Sequence, residues 1–395
     1  MKVLKNITVF GLMALLMVSA VEAKDKVANR SGGSSNYVDS SGTFDGNQIY
    51  ADVTNNGLFL DYHISGDSAM EWPKGTGVHS IFQSALWLGA TVNGETRVSI
   101  GDYTQDMGPG PWGGDPLSAV HRIYKIEKSM LASPGDFADF QNWPVDFGAP
   151  WVDVDGDGVY TPMPGGTDHP QFVGDQVLWF VSNDGDPAYK LNMGTSPLDL
   201  EVQTTMFGFD RPDVFGDMVF LKQLVINRGS NILTDTYMGL WSDPDLGYAG
   251  DDFVGCDIAL SLGYCYNDGA DSDYGAAAPA IGYDFFQASV PGNDTAFAFG
   301  ENKAGFQALE MSSFTKYING DPVYTDPSDE IETYYYMSGY KRDGTAFIDS
   351  DSGLESKFVH PCDPNNDSGA NDGCWVDSDD HASGDRRFLM NVGPF

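Results

Sequence analysis

The chain has 395 residues and a formal net charge of −36 at neutral pH, because 57 acidic residues outnumber 21 basic ones. This excess of negative charge repels nucleic acids and anionic membranes, and it argues against both as partners. Since 41% of the residues are hydrophobic and 13% are aromatic, the chain is too apolar for a disordered acidic tail, and we expect it to fold.

The N-terminus has the features of a secretory signal peptide. Two lysines precede an apolar run over residues 7–21, and a small-residue cleavage site ends at Ala23. We therefore predict a signal peptide over residues 1–23, a secreted or outer-surface location, and no membrane span in the mature chain. Residues 24–45 are polar and rich in Ser and Gly, which predicts a flexible linker. Residues 46–395 then form a β-rich extracellular region of one or more domains.

Strand signals dominate this region. Apolar runs on either side of Asn93-Gly94 predict a β-hairpin, because both positions of the tight turn need a positive φ. The run 177–181 predicts a strand that is buried on both faces. Turn residues recur about every ten positions, which is typical of a sandwich. The predicted fold class is mostly β, with antiparallel β-sandwich-like domains, long Asp- and Gly-rich loops and at most one or two short helices. Further strands are predicted over residues 200–209, 219–226, 234–241 and 258–266.

Two features near the C-terminus carry structural predictions. Asp326-Pro327 supplies a cap and a first-turn proline for a helix that runs to about Tyr340. The chain stops on an apolar stretch, Phe388–Phe395, with no turn or polar tail after it. This ending predicts a strand that is interrupted and a chain that continues further.

The four cysteines fall in two close pairs. Cys256 stands near Cys265, and Cys362 stands near Cys374. In an exported protein such pairs predict two local disulfides. Two other connectivities are open, and free thiols in a reducing compartment are the alternative.

The sharpest motif is an aspartate-rich loop. Aspartates occupy positions 1, 3 and 5 of the loop, and a glycine follows at position 6, as Asp153, Asp155, Asp157 and Gly158. Alternate carboxylates of this kind converge on one hard cation, and the glycine permits the sharp turn that keeps them together. The carbonyl of Val159 would be the ligand at position 7. The loop therefore predicts a calcium site.

The second half of the motif departs from a helix–loop–helix calcium site. Position 12 is Pro164, where a bidentate glutamate would stand. A later acidic residue must complete the coordination shell of the ion. Asp168 is the first choice and Asp175 is the second. The alternative interpretation is a surface turn without an ion.

Two more segments are rich in acidic residues. The segment 243–257 holds four aspartates that we predict as metal ligands, Asp243, Asp245, Asp251 and Asp252. A structural turn and a catalytic pair of carboxylates are the alternatives there. Residues 363–380 mix Asp and Asn with glycine, which suits either calcium or a solvated loop that a disulfide holds.

Motifs for common catalytic sites are missing from the sequence. The six histidines form no HExxH motif, and there is no G-x-S-x-G or GxxxxGK[ST] motif. Two tryptophans in loop contexts, Trp112 and Trp143, are candidates for a platform on which sugar rings stack. They support the alternative of a protein that binds or hydrolyses polysaccharides.

Several stretches resemble a group of large exported proteins of Bacteroidota-like and marine bacteria, many of which carry a C-terminal type IX secretion sorting domain. The resemblance covers most of residues 70–290 in order, and it rests on segments 70–75, 84–94, 142–151, 153–160, 175–179, 200–205, 241–257 and 282–286. It implies a secreted or outer-surface multidomain protein and no particular activity. No sorting domain is recognisable in this chain.

Together these features predict a secreted or cell-surface protein of structural or adhesion type that calcium stabilises, with no identifiable catalytic activity. Its partner would be a surface or matrix component, polysaccharide among the options.

Overall fold

The computed structural model describes residues 40–61, 64, 68–286, 288–298, 301–369 and 371–395. The predicted signal peptide and residues 24–39 of the predicted linker lie outside these ranges. Among the described residues, no helix has the length and apolar character needed to cross a membrane.

Strands make up most of the regular secondary structure of the described residues, which confirms the predicted mostly β class. The strands are β1 (Ser41–Phe44), β2 (Tyr50–Thr54), β3 (Leu58–Leu60), β4 (Met70–Glu71), β5 (His79–Ile81), β6 (Gln83–Val92), β7 (Glu95–Ser99), β8 (Gly108–Pro109), β9 (Tyr124–Glu127), β10 (Trp151–Val152), β11 (His169–Pro170), β12 (Gln176–Asn183), β13 (Leu200–Gly208), β14 (Phe220–Asn227), β15 (Thr234–Asp243), β16 (Asp252–Asp257), β17 (Leu262–Asn267), β18 (Ile281–Asp284), β19 (Ala288–Ala298), β20 (Glu301–Leu309), β21 (Ser313–Ile318), β22 (Phe347–Ile348), β23 (Glu355–Ser356) and β24 (Arg386–Val392).

Helices are short in the described part of the chain. The α-helices are α1 (Ala138–Gln141), α2 (Glu330–Met337) and α3 (Asp377–Asp380). Short 3-10 helices span Lys128–Ala132, Pro134–Asp136, Val145–Phe147, Pro187–Tyr189, Val214–Asp217, Ala249–Asp251 and Pro364–Asn366.

Antiparallel pairing joins these strands into sheets. The largest sheet has the order β21-β24-β15-β6-β3, with β7 also on β6. A second has the order β14-β13-β12-β8, with β9 also on β12. Two smaller sheets follow the orders β1-β2-β4-β5 and β16-β17-β18, and three two-stranded ladders pair β10 with β11, β19 with β20 and β22 with β23.

The two largest sheets pack face to face through alternate residues of β6. Leu86 and Leu88 contact a cluster that includes Leu200 and Val202 of β13. The intervening residue Trp87 faces the other way, into the largest core cluster. That cluster also holds residues of α2 and β24. Strand β6 is therefore covered on both faces, which explains its continuous apolar sequence.

The structure agrees closely with several strand predictions. Asn93 and Gly94 have φ values of 53° and 86° and connect β6 to β7, as the hairpin prediction requires. Every residue of β12 is buried, which confirms the strand predicted from residues 177–181. The strand predicted from residue 258 begins instead at Leu262, because a turn intervenes and Ser261 has a φ of 54°.

Two boundaries were wrong. The predicted linker 24–45 includes Ser41–Phe44, which pairs with β2 and buries Phe44 completely. The predicted helix start at Asp326 is also wrong, because the Asp329 carboxylate accepts the N–H groups of Ile331 and Glu332 and so caps α2. This cap sets the first turn at Glu330.

Residues 388–392 of the C-terminal apolar stretch lie inside a sheet. Strand β24 pairs with β15 on one side and with β21 on the other, and all of its residues are buried. The predicted strand is thus present, and it is an inner strand of the largest sheet.

Candidate metal sites

The aspartate-rich loop leaves β10 and returns through β11. The pairing of Trp151 with Pro170 holds the two ends of the loop together. Carboxylate oxygens of three of the predicted ligands, Asp153, Asp155 and Asp168, lie within 4.8 Å of one another. The later acid that joins the loop is therefore Asp168, whereas Asp175 accepts a hydrogen bond from the N–H of Asp210 elsewhere.

Backbone N–H groups of the loop hold two of these carboxylates in place. Asp153 accepts from Gly156 at 2.7 Å and from Gly158 at 2.9 Å. The buried Asp168 accepts from Thr161 at 2.8 Å and from Val154 at 3.0 Å. The Thr161 N–H contributes most to lowering the pKa of Asp168. This carboxylate is therefore kept ionised, as a metal ligand must be.

The third carboxylate of the loop is repelled by the negative charges of its neighbours. The N–H of Asp157 lowers the pKa of Asp155, but desolvation and the neighbouring carboxylates outweigh it and raise that pKa overall. Like charges this close favour either a proton or a cation between them. A bound divalent ion would remove the repulsion.

One predicted carboxylate ligand stands apart from this group. The Asp157 carboxylate accepts the N–H of Val159 at 2.8 Å and lies outside the three-carboxylate cluster. The carbonyl of Val159, the predicted ligand at position 7, accepts a hydrogen bond from the Thr161 hydroxyl at 3.5 Å. The structure thus brings three of the four predicted carboxylates together.

A second cluster joins residues that are far apart in the chain. Carboxylate oxygens of Asp243, Asp245 and Asp385 lie within 4.8 Å of one another. Asp243 ends β15 and Asp385 precedes β24, and the antiparallel pairing of these two strands brings both to one end of the sheet. Asp385 was not among the predicted ligands.

The second cluster lies beside a buried arginine. Asp243 is 2% exposed, and its Oδ2 accepts from Tyr103 Oη and from Arg387 Nε, the latter at 3.1 Å. Burial raises the pKa of Asp243 to about 6, although Arg387 opposes the shift. Burial likewise raises the pKa of Asp245 well above its usual range.

The other two predicted ligands of the segment 243–257 lie outside the second cluster. Asp252 is buried at the start of β16, where it accepts the N–H of Leu246 at 3.2 Å, and burial raises its pKa to about 8. Asp251 accepts from the side-chain amide of Asn267 at 2.7 Å. Neither belongs to the group of three carboxylates.

The two cysteine pairs behave differently. Cys362 and Cys374 form the predicted disulfide, with a Cα–Cα distance of 5.2 Å. The predicted bond between Cys256 and Cys265 is wrong, since both are buried free thiols. In the β16–β17 ladder Cys265 is opposite Val254, so the two cysteines are diagonal neighbours. Diagonal neighbours are about 7–8 Å apart, beyond the usual span of a disulfide.

The third acidic segment forms turns. Asp372 accepts from the N–H and hydroxyl of Ser368, and Asp351 accepts the N–H groups of Asn371 and Gly373. Among the described residues of 363–380, no three carboxylates converge as they do at the other two clusters.

Sequence reasoning missed a buried ionic cluster at the start of α3. The Lys316 amino group donates to Asp377 at 2.6 Å, and His360 and His381 lie 2.6 and 3.1 Å from the same nitrogen. Arg386 donates to the other oxygen of Asp377 at 3.0 Å. Desolvation followed by the Lys316 charge lowers the pKa of His360 well below its usual range. No motif marks this cluster, because its members come from separate strands and loops.

The two tryptophans predicted as a sugar platform differ in their exposure to solvent. Trp143 is 3% exposed and packs in a core cluster, so its prediction was wrong. Trp112 is 42% exposed, and its indole N–H donates to Asp199. A surface cleft of about 640 Å³ lies elsewhere, lined in part by Tyr264 and Tyr266.

Comparison of the chain with models of known families, with curated proteins and with solved structures found no match. The candidate sites are therefore assigned from their own geometry.

Proposed function

We propose that this chain is an exported or cell-surface β protein of structural or adhesion type, stabilised by calcium and without catalytic activity. The observation that carries the proposal is the convergence of Asp153, Asp155 and Asp168 on one point at the end of a short ladder. Oxygen ligands from alternate positions of a glycine-containing loop suit Ca²⁺. Extracellular calcium modules bind with dissociation constants of about 10⁻⁴–10⁻³ M.

The charge of the chain supports the same proposal. A folded chain with a net charge of −36 carries strong self-repulsion. Divalent ions bound to carboxylate clusters reduce this repulsion in the folded state. An ion that binds only the folded chain also stabilises it by mass action. Calcium would thus act on the fold rather than on a substrate.

Replacement of one loop carboxylate should reduce the stabilisation by calcium. We expect Asp155→Ala to lose part of the calcium-induced rise in melting temperature, because one of three converging ligands is gone. Asp155 is exposed and its side chain accepts a single weak hydrogen bond, from Asp157 at 3.2 Å. The stability in EDTA should therefore change little. The measurement is thermal unfolding across a calcium titration.

A charge-matched control separates site binding from general screening. Asp146 is also exposed and lies outside both carboxylate clusters. Asp146→Ala should keep the full calcium response. A response of Asp155→Ala equal to that of the wild type would show that the loop is not the site.

Polysaccharide binding is a second candidate function, and the cleft beside Tyr264 and Tyr266 favours it. The two tyrosines project from one face of β17 with ring centroids 5.9 Å apart, and Asp257 and Asp363 also line the cleft. We expect Tyr266→Ala to abolish any retardation of the protein in gels that contain soluble polysaccharides. Tyr335→Ala, at an exposed position elsewhere, is the control. Absence of retardation for the wild type across neutral and acidic polysaccharides would reject this candidate.

A further inference from the structure

The second carboxylate cluster contains oxygen atoms without hydrogen-bond partners. One oxygen each of Asp243, Asp245 and Asp385 is buried and accepts no hydrogen bond. These carboxylates are the same three whose oxygens lie within 4.8 Å of one another. Buried polar atoms nearly always have partners. Three converging carboxylates that each carry such an oxygen point to a ligand that is not part of the protein.

A neutral side chain beside the cluster gives an independent indication. Gln83 lies directly opposite Asp243 in the β6–β15 ladder, so the two side chains leave the same face of the sheet. Gln83 is fully buried, and its amide nitrogen donates to the carbonyl of Asp102 at 2.6 Å. Its carbonyl oxygen, Oε1, is buried without a partner. A carboxamide oxygen of this kind is a good ligand for a hard cation.

The local charge balance is strongly negative. Arg387 divides its positive charge among Asp243 at 3.1 Å, Asp326 at 3.0 Å and Asp385 at 3.8 Å. Burial, followed by the charges of Asp243 and Asp385, raises the pKa of Asp245 by more than Arg387 lowers it. Uncompensated carboxylates are costly in a buried place unless they are protonated or bind a cation.

We propose that Asp243, Asp245 and Asp385, with the carbonyl of Gln83, bind a calcium ion that links β15 to β24. Calcium–oxygen distances are about 2.3–2.6 Å, so ligands on opposite sides of one ion are roughly 5 Å apart. The 4.8 Å limit on the three carboxylates fits this requirement. Tyr103 and Arg387 remain on the other oxygen of Asp243 and hold it in place.

This site differs from the loop site in position and in consequence. The loop ion would join residues that are near in sequence, whereas this ion joins the end of one inner strand to the beginning of another. Its ligands come from the two strands at one end of the β15–β24 pairing region. Occupancy would therefore fasten the C-terminal strand into the largest sheet. The inference does not depend on calcium at the loop.

Calcium binding to the purified full chain tests the inference by equilibrium dialysis after treatment with EDTA. We expect Asp245→Asn and Asp385→Asn each to lose one equivalent of calcium, or to bind that equivalent roughly tenfold more weakly or worse. The matched control is Asp251→Asn, which removes a charge from the same segment at a carboxylate outside the cluster. This control should bind as the wild type does.

The Asp155→Ala variant distinguishes the two sites, because it changes the loop site and leaves the second carboxylate cluster intact. It should still bind one equivalent, and it should lose that equivalent when Asp245→Asn is added. Calcium binding that both Asp245→Asn and Asp385→Asn leave unchanged, in proteins with a native near-ultraviolet circular dichroism spectrum, would overturn the inference. An Asp155→Ala variant that binds no calcium would also overturn the inference, even if Asp245→Asn and Asp385→Asn fail to fold.

Discussion

Asp377→Ala should destabilise the protein by about 3–5 kcal/mol, because it leaves buried charges without a counterion. Asp377 is fully buried and accepts hydrogen bonds from Lys316 at 2.6 Å and from Arg386 at 3.0 Å. Lys316 is fully buried and Arg386 is 1% exposed. Neither cation can reach water without opening the core. The measurement is the free energy of unfolding from urea denaturation in saturating calcium.

The neighbouring residue in α3 provides a control for this prediction. Ser378 is exposed, and Ser378→Ala should change the free energy of unfolding by less than about 0.5 kcal/mol. Asp377→Asn should fall between the two, since it keeps the shape of the side chain and loses its charge. Equal unfolding midpoints for Asp377→Ala and Ser378→Ala would mean that the ionic cluster does not hold this part of the fold together.

Trp87→Ala should cost about 3–5 kcal/mol of stability through the cavity it creates. Trp87 is 1% exposed, and its ring lies 6.0 Å from Trp241 and 6.2 Å from Tyr317, measured between centroids. Its indole N–H donates to the carbonyl of Gly101 at 2.6 Å. The substitution therefore removes a large buried surface and leaves that carbonyl without its donor. Urea denaturation measures the effect.

Trp112→Ala is the matched substitution at the surface. Trp112 is 42% exposed, and we expect its loss to cost less than about 1 kcal/mol. Trp87→Phe should recover part of the loss at the core position, because it refills some of the cavity. A similar cost for Trp87→Ala and Trp112→Ala would contradict the packing described for the largest core cluster.

The structural features that the sequence predicted correctly depend on residues that are close together in the chain. The turn at Asn93-Gly94 and the buried strand β12 follow from a few adjacent residues. The same holds for the loop carboxylates from Asp153 to Asp168, whose positions depend on short spacings and on one short ladder. Short-range patterns of this kind carry their own physical constraints.

The parts that the sequence did not predict depend on pairing between distant strands. Asp385 reaches Asp243 only because β24 pairs with β15, and no pattern near either residue specifies that pairing. The error at Cys256 and Cys265 has a similar cause, since closeness in sequence does not fix the register of two strands. The strand Ser41–Phe44 was also missed, because the Ser- and Gly-rich composition around Ser41 is typical of a linker. The burial of Phe44 stabilises this strand.

Thermal unfolding of the full chain in EDTA, in calcium and in magnesium shows whether calcium stabilises this fold. Binding at one hundred times the dissociation constant adds about 2.7 kcal/mol for each site that forms only in the folded chain. We expect a saturable rise in melting temperature of roughly ten degrees when calcium binds at two sites, and a smaller rise with magnesium. Equal melting temperatures in EDTA and in saturating calcium would mean that calcium does not stabilise the fold.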